Sequence, residues 1–239
     1  MSFLSIRNKM PGSLLYGGES LPAPICTVES LNNDCKATVY NRSVCLTFDD
    51  GPDPVHTPKI LDVLAEHDVR ATFFVLGVAA EQHPHLVARM LKEGHAVGNH
   101  TYSHRHPWMM SSRDAKQEVA RATAIIKRIT GNSPLWFRPP FGRLREAMLK
   151  QAHQEQMTTV LWSRSIIDWG ALGTEAGISQ RLDRIKPGDI VLMHDGKREH
   201  NRPDITMRCL PVFLEGLAQK SLVACNLNEA RWGQRLRER

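Results

Sequence analysis

Five short segments carry residue types whose spacing suits hydrolytic chemistry. Asp49 and Asp50 are adjacent and run into Gly51-Pro52. Neighbouring carboxylates repel each other unless a cation or a strong donor stands between them. The competing reading is a solvated turn, because Asp, Gly and Pro are turn formers. His100 and His104 lie four positions apart, which in a helical turn puts both imidazoles on one face and lets them share a metal. Two imidazoles plus one carboxylate from another strand leave coordination positions open for water. Arg138 opens a rigid Arg-Pro-Pro-Phe-Gly turn, Asp168 precedes Trp169, and His194 precedes Asp195. Taken singly, Arg138 reads as a surface charge, Trp162 and Trp169 as core aromatics, and His194 as a satisfied buried histidine. Arriving in order at the ends of expected strands, they point together to a metal-assisted hydrolase site.

Such a site needs a scaffold that ends its strands on one face. The hydrophobic pattern predicts strands over 43–48, 71–76, 96–99, 135–138, 158–162, 189–194 and 221–226. Helices are expected over 57–67, 79–92, 112–129, 145–154, 175–185 and 206–219, with Pro58 in a first turn and Gly94 and Gly131 as stops. Strand alternating with helix at this spacing means a parallel sheet, and about seven alternations suggest a closed or nearly closed α/β barrel. Residues 1–41, rich in Gly, Pro, Ser and Asn, read as an N-terminal extension that wraps the domain. Residues 42–239 read as one domain with a short basic C-terminal tail.

Composition removes other classes. Of 239 residues, 41% are hydrophobic and 23% charged, which excludes a disordered, collagenous or coiled-coil chain. The longest uncharged apolar run, 71–80, falls far short of the roughly 20 residues of a membrane span. The net charge of +6 is spread out. Its densest cluster, Arg231, Arg235, Arg237 and Arg239, alternates with Glu229 and Glu238 and reads as a solvated helix end rather than a nucleic-acid footprint. Five cysteines without a CxxC pair (Cys26, Cys35, Cys45, Cys209, Cys225) do not form a disulfide framework or a zinc knuckle. No apolar segment follows Arg7 and Lys9, so no secretory signal is expected, and the setting inferred is cytoplasmic.

The segments TFDDGP (47–52), HTYSH (100–104), RPPFG (138–142), IIDW (166–169) and LMH (192–194) resemble, in order and spacing, the five motifs of the NodB-like polysaccharide deacetylases, carbohydrate esterase family 4. The phrase from Leu46 to Val75 is similar to its chitooligosaccharide deacetylase branch. The resemblance implies a distorted (β/α)7 barrel that hydrolyses N-acetyl groups on N-acetylglucosamine-containing oligo- or polysaccharides. It implies a divalent metal, usually zinc, with cobalt, nickel or manganese as alternatives. Carried over by motif, Asp50, His100 and His104 hold the metal, and Asp49 is the base toward a metal-activated water. Arg138 orients Asp49, His194 is the acid toward the leaving amine, and Asp168 pairs with His194. Pro140, Phe141, Gly142, Trp162, Trp169 and Leu192 wall the acetyl pocket.

The chain departs from the family at Ser165, which stands at a usually acidic position, and at Ile166-Ile167, which would make the wall more apolar. Two other readings remain at this stage. One is an amidohydrolase acting on a non-polymeric amide, which the apolar Trp108-Met109-Met110 stretch would suit. The other is a catalytically silent carbohydrate-binding homologue. The oligomeric state is open.

Overall fold

The structure, a computed structural model, describes residues 13–16, 19–28 and 42–232. Most of the expected N-terminal extension, Cys35, and the tail arginines 235, 237 and 239 lie outside the described residues.

The strands are β1 (Ser13–Tyr16), β2 (Glu19–Pro22), β3 (Ser43–Asp49), β4 (Thr72–Val75), β5 (Ala96–Asn99), β6 (Trp136–Phe137), β7 (Thr158–Thr159), β8 (Arg164–Ser165), β9 (Ile190–His194) and β10 (Val223–Cys225). The helices are α1 (Thr57–Glu66), α2 (Gly77–Gln82), α3 (Pro84–Lys92), α4 (Ser112–Thr130), α5 (Glu146–Gln154), α6 (Glu175–Leu182), α7 (Pro203–Gln219) and α8 (Leu227–Trp232). Strands β1 and β2 form an antiparallel hairpin. The main sheet is all parallel in the order β7-β6-β5-β4-β3-β9-β8, with β10 added beside the first half of β3. This curled sheet with its helices is the (β/α) barrel expected from the alternation.

β3 shows how both faces of a barrel strand are specified. Successive side chains point to opposite faces. Val44, Leu46 and Phe48 join the large apolar cluster under α1, α3, α6 and α7. Cys45 faces the other way, into the cluster with Phe74, Trp136, Val160 and Ile190. Thr47 and Asp49 share the face of Cys45, so the column rises from apolar floor to carboxylate along one strand. All seven residues are buried, as a parallel strand covered on both faces must be.

The backbone segment 25–28 bridges the sheet's two flanks. The Ile25 N–H donates to the Thr159 carbonyl at 2.9 Å, the Leu161 N–H to the Ile25 carbonyl at 2.8 Å, and the Val28 N–H to the Gly188 carbonyl at 3.0 Å.

Several element expectations change. The helix expected over 79–92 is two helices that meet at His83, because Pro84 cannot continue the hydrogen bonding of α2 and instead opens α3. β8 and α8 were not expected; β8 has two residues, too few for a periodic signal.

Candidate active site

Asp49 and Asp50 would point to opposite faces if both lay in a strand. The strand ends at Asp49, and Asp50 takes φ 75, which turns its carboxylate back. Asp49 Oδ2 then lies 3.7 Å from His100 Nε2, and Asp50 Oδ1 lies 3.6 Å from the same nitrogen. His104 Nε2 is 3.1 Å from Asp50 Oδ1.

The two histidines do not share a helical turn, contrary to the expectation from their spacing. Residues 100–104 are irregular, with Thr101 at φ 72 and His104 at φ 59, and their rings meet at 5.0 Å. Positive φ is a genuine outlier for a β-branched residue such as Thr101. Asp50, Phe141 (φ 58) and Ile167 (φ 52) are likewise left-handed, so five of the eight such residues other than glycine among the described residues cluster here. Strain of this kind persists where the surroundings over-determine it, and it marks functional sites. The surroundings are specific. Ser103 donates to Glu118 of α4 through its N–H and its hydroxyl, both at 2.8 Å. Asn99 accepts from the Thr101 N–H at 2.7 Å and donates to Val119 O and Thr123 Oγ1 of α4.

Asp50, His100 and His104 offer three ligand atoms within 4.8 Å of one another, all buried. Asp50 Oδ1 is buried without a hydrogen-bond partner. His100 Nδ1 lies 2.7 Å from the Arg138 carbonyl, and donating to that oxygen leaves Nε2 for a ligand. Burial pushes His104 down to about 3, against the pull of Asp50, so the ring is neutral, the form that binds metal. The donor set fits a divalent cation.

Arg138 is fully buried beneath this group. It donates to Asp49 Oδ1 at 2.8 Å, to Thr47 Oγ1 at 2.7 Å and to the carbonyls of Val160 and Leu161, and it stacks 4.1 Å from the Phe74 ring. A fixed guanidinium of this kind orients a carboxylate.

His194 is register-paired with Asp49 across β9 and β3. Its Nδ1 lies 2.7 Å from Asp168 Oδ1, and its N–H donates to Asp168 Oδ2 at 2.8 Å. Burial disfavours the charged ring, but the charge and hydrogen bond of Asp168, with Asp50 and Asp49 adding, push it up to about 9. His194 is therefore a cation at neutral pH. Thr206 Oγ1 also donates to Asp168 Oδ2, at 2.7 Å.

The expected wall residues are placed as follows. Phe141 sits 4.6 Å from the His104 ring, and Trp169 meets the His194 ring edge-on at 5.4 Å. Pro140 and Leu192 are buried, and a side chain at Gly142 would run into Trp162. Ile166 does not widen an apolar wall. It is completely buried in the main core with Ile178 and Leu182, and Ser165 Oγ accepts from the Ile167 N–H. Met110 is buried too, whereas Trp108 and Met109 are exposed.

Several residues of the site carried no sequence signal of their own. Asn201, from the polar 195–204 loop, donates to Asp50 Oδ2 at 2.5 Å and leaves Oδ1 facing the histidines. Asp195, buried beside Asp50, accepts from Thr57 Oγ1 at 2.5 Å, and burial pushes it up to about 7. Its carboxylate occupies the space a Cβ at Gly51 would need, while a Cβ at Gly196 would strike the Asp50 backbone. Only Thr47 had a signal available: it lies two positions before Asp49 and so on the same face.

Residues 36–160 match the polysaccharide deacetylase family profile. A peptidoglycan-N-acetylglucosamine deacetylase of Bacillus cereus is 40% identical over 162 residues, 67% of this chain and 59% of that protein. A chitooligosaccharide deacetylase of Sinorhizobium fredii is 41% identical over 155 residues, 64% of this chain and 72% of its relative. The crystal structure of a peptidoglycan N-acetylglucosamine deacetylase in complex with an N-oxidanyl-benzamide superimposes with a TM-score of 0.74 at 35% identity, covering 80% of this chain and 89% of that one.

Proposed function

The chain belongs to the polysaccharide deacetylase family, and from that membership we propose that it removes N-acetyl groups from N-acetylglucosamine-containing oligo- or polysaccharides. The observation that supports this most directly is that Asp49, beside the Asp50-His100-His104 cluster, and His194, paired with Asp168, end two neighbouring parallel strands in register.

Asp50, His100 and His104 would hold the metal, which we propose to be zinc because one carboxylate and two imidazoles suit it. When bound, a divalent cation supplies polarisation of the acetyl carbonyl and a lowered pKa of adjacent water. Asp49, held by Arg138, takes a proton from the water oxygen that attacks the carbonyl carbon. The backbone N–H of Phe141 donates to the oxygen that becomes negative. His194, held by Asp168, gives its proton to the amide nitrogen as the carbon–nitrogen bond breaks, releasing acetate and a free amine. An amide needs both halves, a strong nucleophile and a protonated leaving group. Trp169, Phe141, Trp162, Pro140, Gly142 and Leu192 enclose the acetyl group.

We further propose a reducing, cytoplasmic setting. It is supported by an odd cysteine count with no CxxC pair in the sequence. Among the described residues no helix is long and apolar enough to cross a membrane.

The test is incubation of zinc-loaded and chelator-stripped protein with defined N-acetylglucosamine oligomers, with product masses read for lost acetyl groups. Loss of acetyl groups only in the loaded sample is expected. Equal activity in both would overturn the mechanism.

A further inference from the structure

The loop between β9 and α7 carries no helix or strand of its own, yet its backbone is fixed at both ends. The Asp195 and Gly196 N–H groups both donate to the Asp49 carbonyl at 3.2 Å. Residues 200–202 then run antiparallel to residues 168–170. The Gly170 N–H donates to the His200 carbonyl at 2.9 Å, and the Arg202 N–H donates to the Asp168 carbonyl at 2.7 Å. Asn201 sits in the middle of this short ladder, opposite Trp169, and Lys197 Nζ donates to its carbonyl at 3.0 Å. Residues 197–200 are exposed, but Asn201 is buried. Its amide nitrogen reaches Asp50 Oδ2 at 2.5 Å and the Gly196 carbonyl at 3.3 Å. An ionised carboxylate and a carbonyl only accept, so the nitrogen, with its two N–H donors, is the end of the amide that must face them.

Asp50 needs such a partner. The last torsion of an aspartate is broad and two-fold, so packing alone does not choose which oxygen faces the histidines. Asp50 also lies just past the end of β3, with φ 75, and its Oδ1 is buried without a hydrogen-bond partner between His100 and His104. We propose that Asn201 is a positioning residue for the metal: by holding Oδ2 it presents Oδ1 of Asp50 to the two histidines. The ladder to residues 168–170 fixes the backbone from which it donates, so the donor is in place before any ligand arrives. This rests on the reading of Asp50, His100 and His104 as metal ligands and is independent of which sugar is deacetylated. The competing account is that Asn201 only fills space under the loop.

The experiment is isothermal titration of zinc into metal-free wild type, Asn201→Leu, Asn201→Ala and Asn201→Ser, with a thermal melt of each metal-free protein and the visible absorption of each cobalt-loaded one. Leu matches the size of Asn but has no donor, Ala has neither, and Ser keeps a shorter donor. Leu and Ala should both weaken zinc binding about tenfold or more, the scale for losing a hydrogen bond to a metal ligand, and both should shift the cobalt bands. Ser should bind more tightly than Ala, and Glu199→Gln, at an exposed position of the same loop, should bind as wild type does. Wild-type affinity in Asn201→Leu with loss in Asn201→Ala would give Asn201 a space-filling role and overturn the inference. If Leu lowers the melting temperature of the metal-free protein, the order of Ser and Ala decides, and equal affinities in that pair would overturn it. Zinc taken up by no protein, wild type included, would overturn both this inference and the metal-dependent mechanism. The expected order of zinc affinities without acetate release from N-acetylglucosamine oligomers would support the positioning role and overturn the deacetylase reading alone.

Discussion

Asp49 and Asp50 are chemically identical neighbours with different surroundings, and the surroundings divide the work. Asp49 has one oxygen held by Arg138 and the other aimed at His100, whereas Asp50 has one oxygen held by Asn201 and the other left to the histidines. In the proposed mechanism, Asp49→Asn keeps an acceptor for the buried Arg138 but removes the base. Acetate release should fall at least a thousandfold, on the scale expected for an essential acid–base group, while zinc stoichiometry stays at one per chain. Loss of zinc in that variant would mean the two roles are reversed. His194 is governed by Asp168. With the folded pKa raised to about 9, the ring is a competent acid below that pH and loses its proton as pH rises through it. Asp168→Asn removes the largest opposing influence to burial. The alkaline limb of the kcat profile should therefore move to lower pH, and an unmoved limb would exclude His194 as the acid.

At the scale of elements, the metal-ligand loop is shaped from outside itself. The ladder of β5 ends at Asn99, after which α4 takes over, accepting from the Asn99 amide and holding Ser103 through Glu118. Glu118→Ala should leave the helix intact, since Ala is the best helix former. It should weaken zinc binding about tenfold by releasing the strained 101–104 backbone. Isothermal titration with zinc checks this independently of turnover, and unchanged affinity would show that the loop holds its shape alone. The i, i+4 spacing of His100 and His104 pointed to two imidazoles brought together. Its geometry was not legible, because the spacing invoked a helix and the chain uses left-handed residues set by contacts with α4. The strand-end positions of Asp49, Arg138 and His194 were legible because alternation and breakers mark where β3, β6 and β9 stop. Asn201 and Thr206 were not, since polar residues in and after a loop look alike until the loop is folded onto its partners.

For the molecule as a whole, the buried histidine far from the chemistry has the clearest consequence. His95, at the entry to β5, accepts from the Ala71 N–H at 3.1 Å and packs edge-on against Phe73 at 5.3 Å. Burial pushes it down to about 4 from an ordinary 6.5. Between those values the unfolded chain binds a proton that the folded one does not, so folding stability falls as pH drops through this window. The limiting loss is about 3 kcal/mol. His95→Asn, which keeps an acceptor for Ala71, should flatten the fall in unfolding free energy between pH 7 and pH 4.5 relative to wild type. Parallel curves for the two proteins would sink this account.

The alternation of strands and helices, the parallel sheet and the residues at its strand ends followed from the sequence alone, because short apolar runs, helix-period segments and turn chemistry are local properties. Family membership followed from the same residues in the same order. Tertiary structure decided what depends on contacts between distant segments: which oxygen of each carboxylate faces the histidines, the strained path from His100 to His104, and the charge on His194. It also placed Ile166 in the core instead of at the pocket, and left Trp108 on the surface beside it. Side chains separated by up to 151 positions, as Asp50 and Asn201 are, acquire their chemistry only when the barrel brings them together, because their charge and orientation depend on burial and partners.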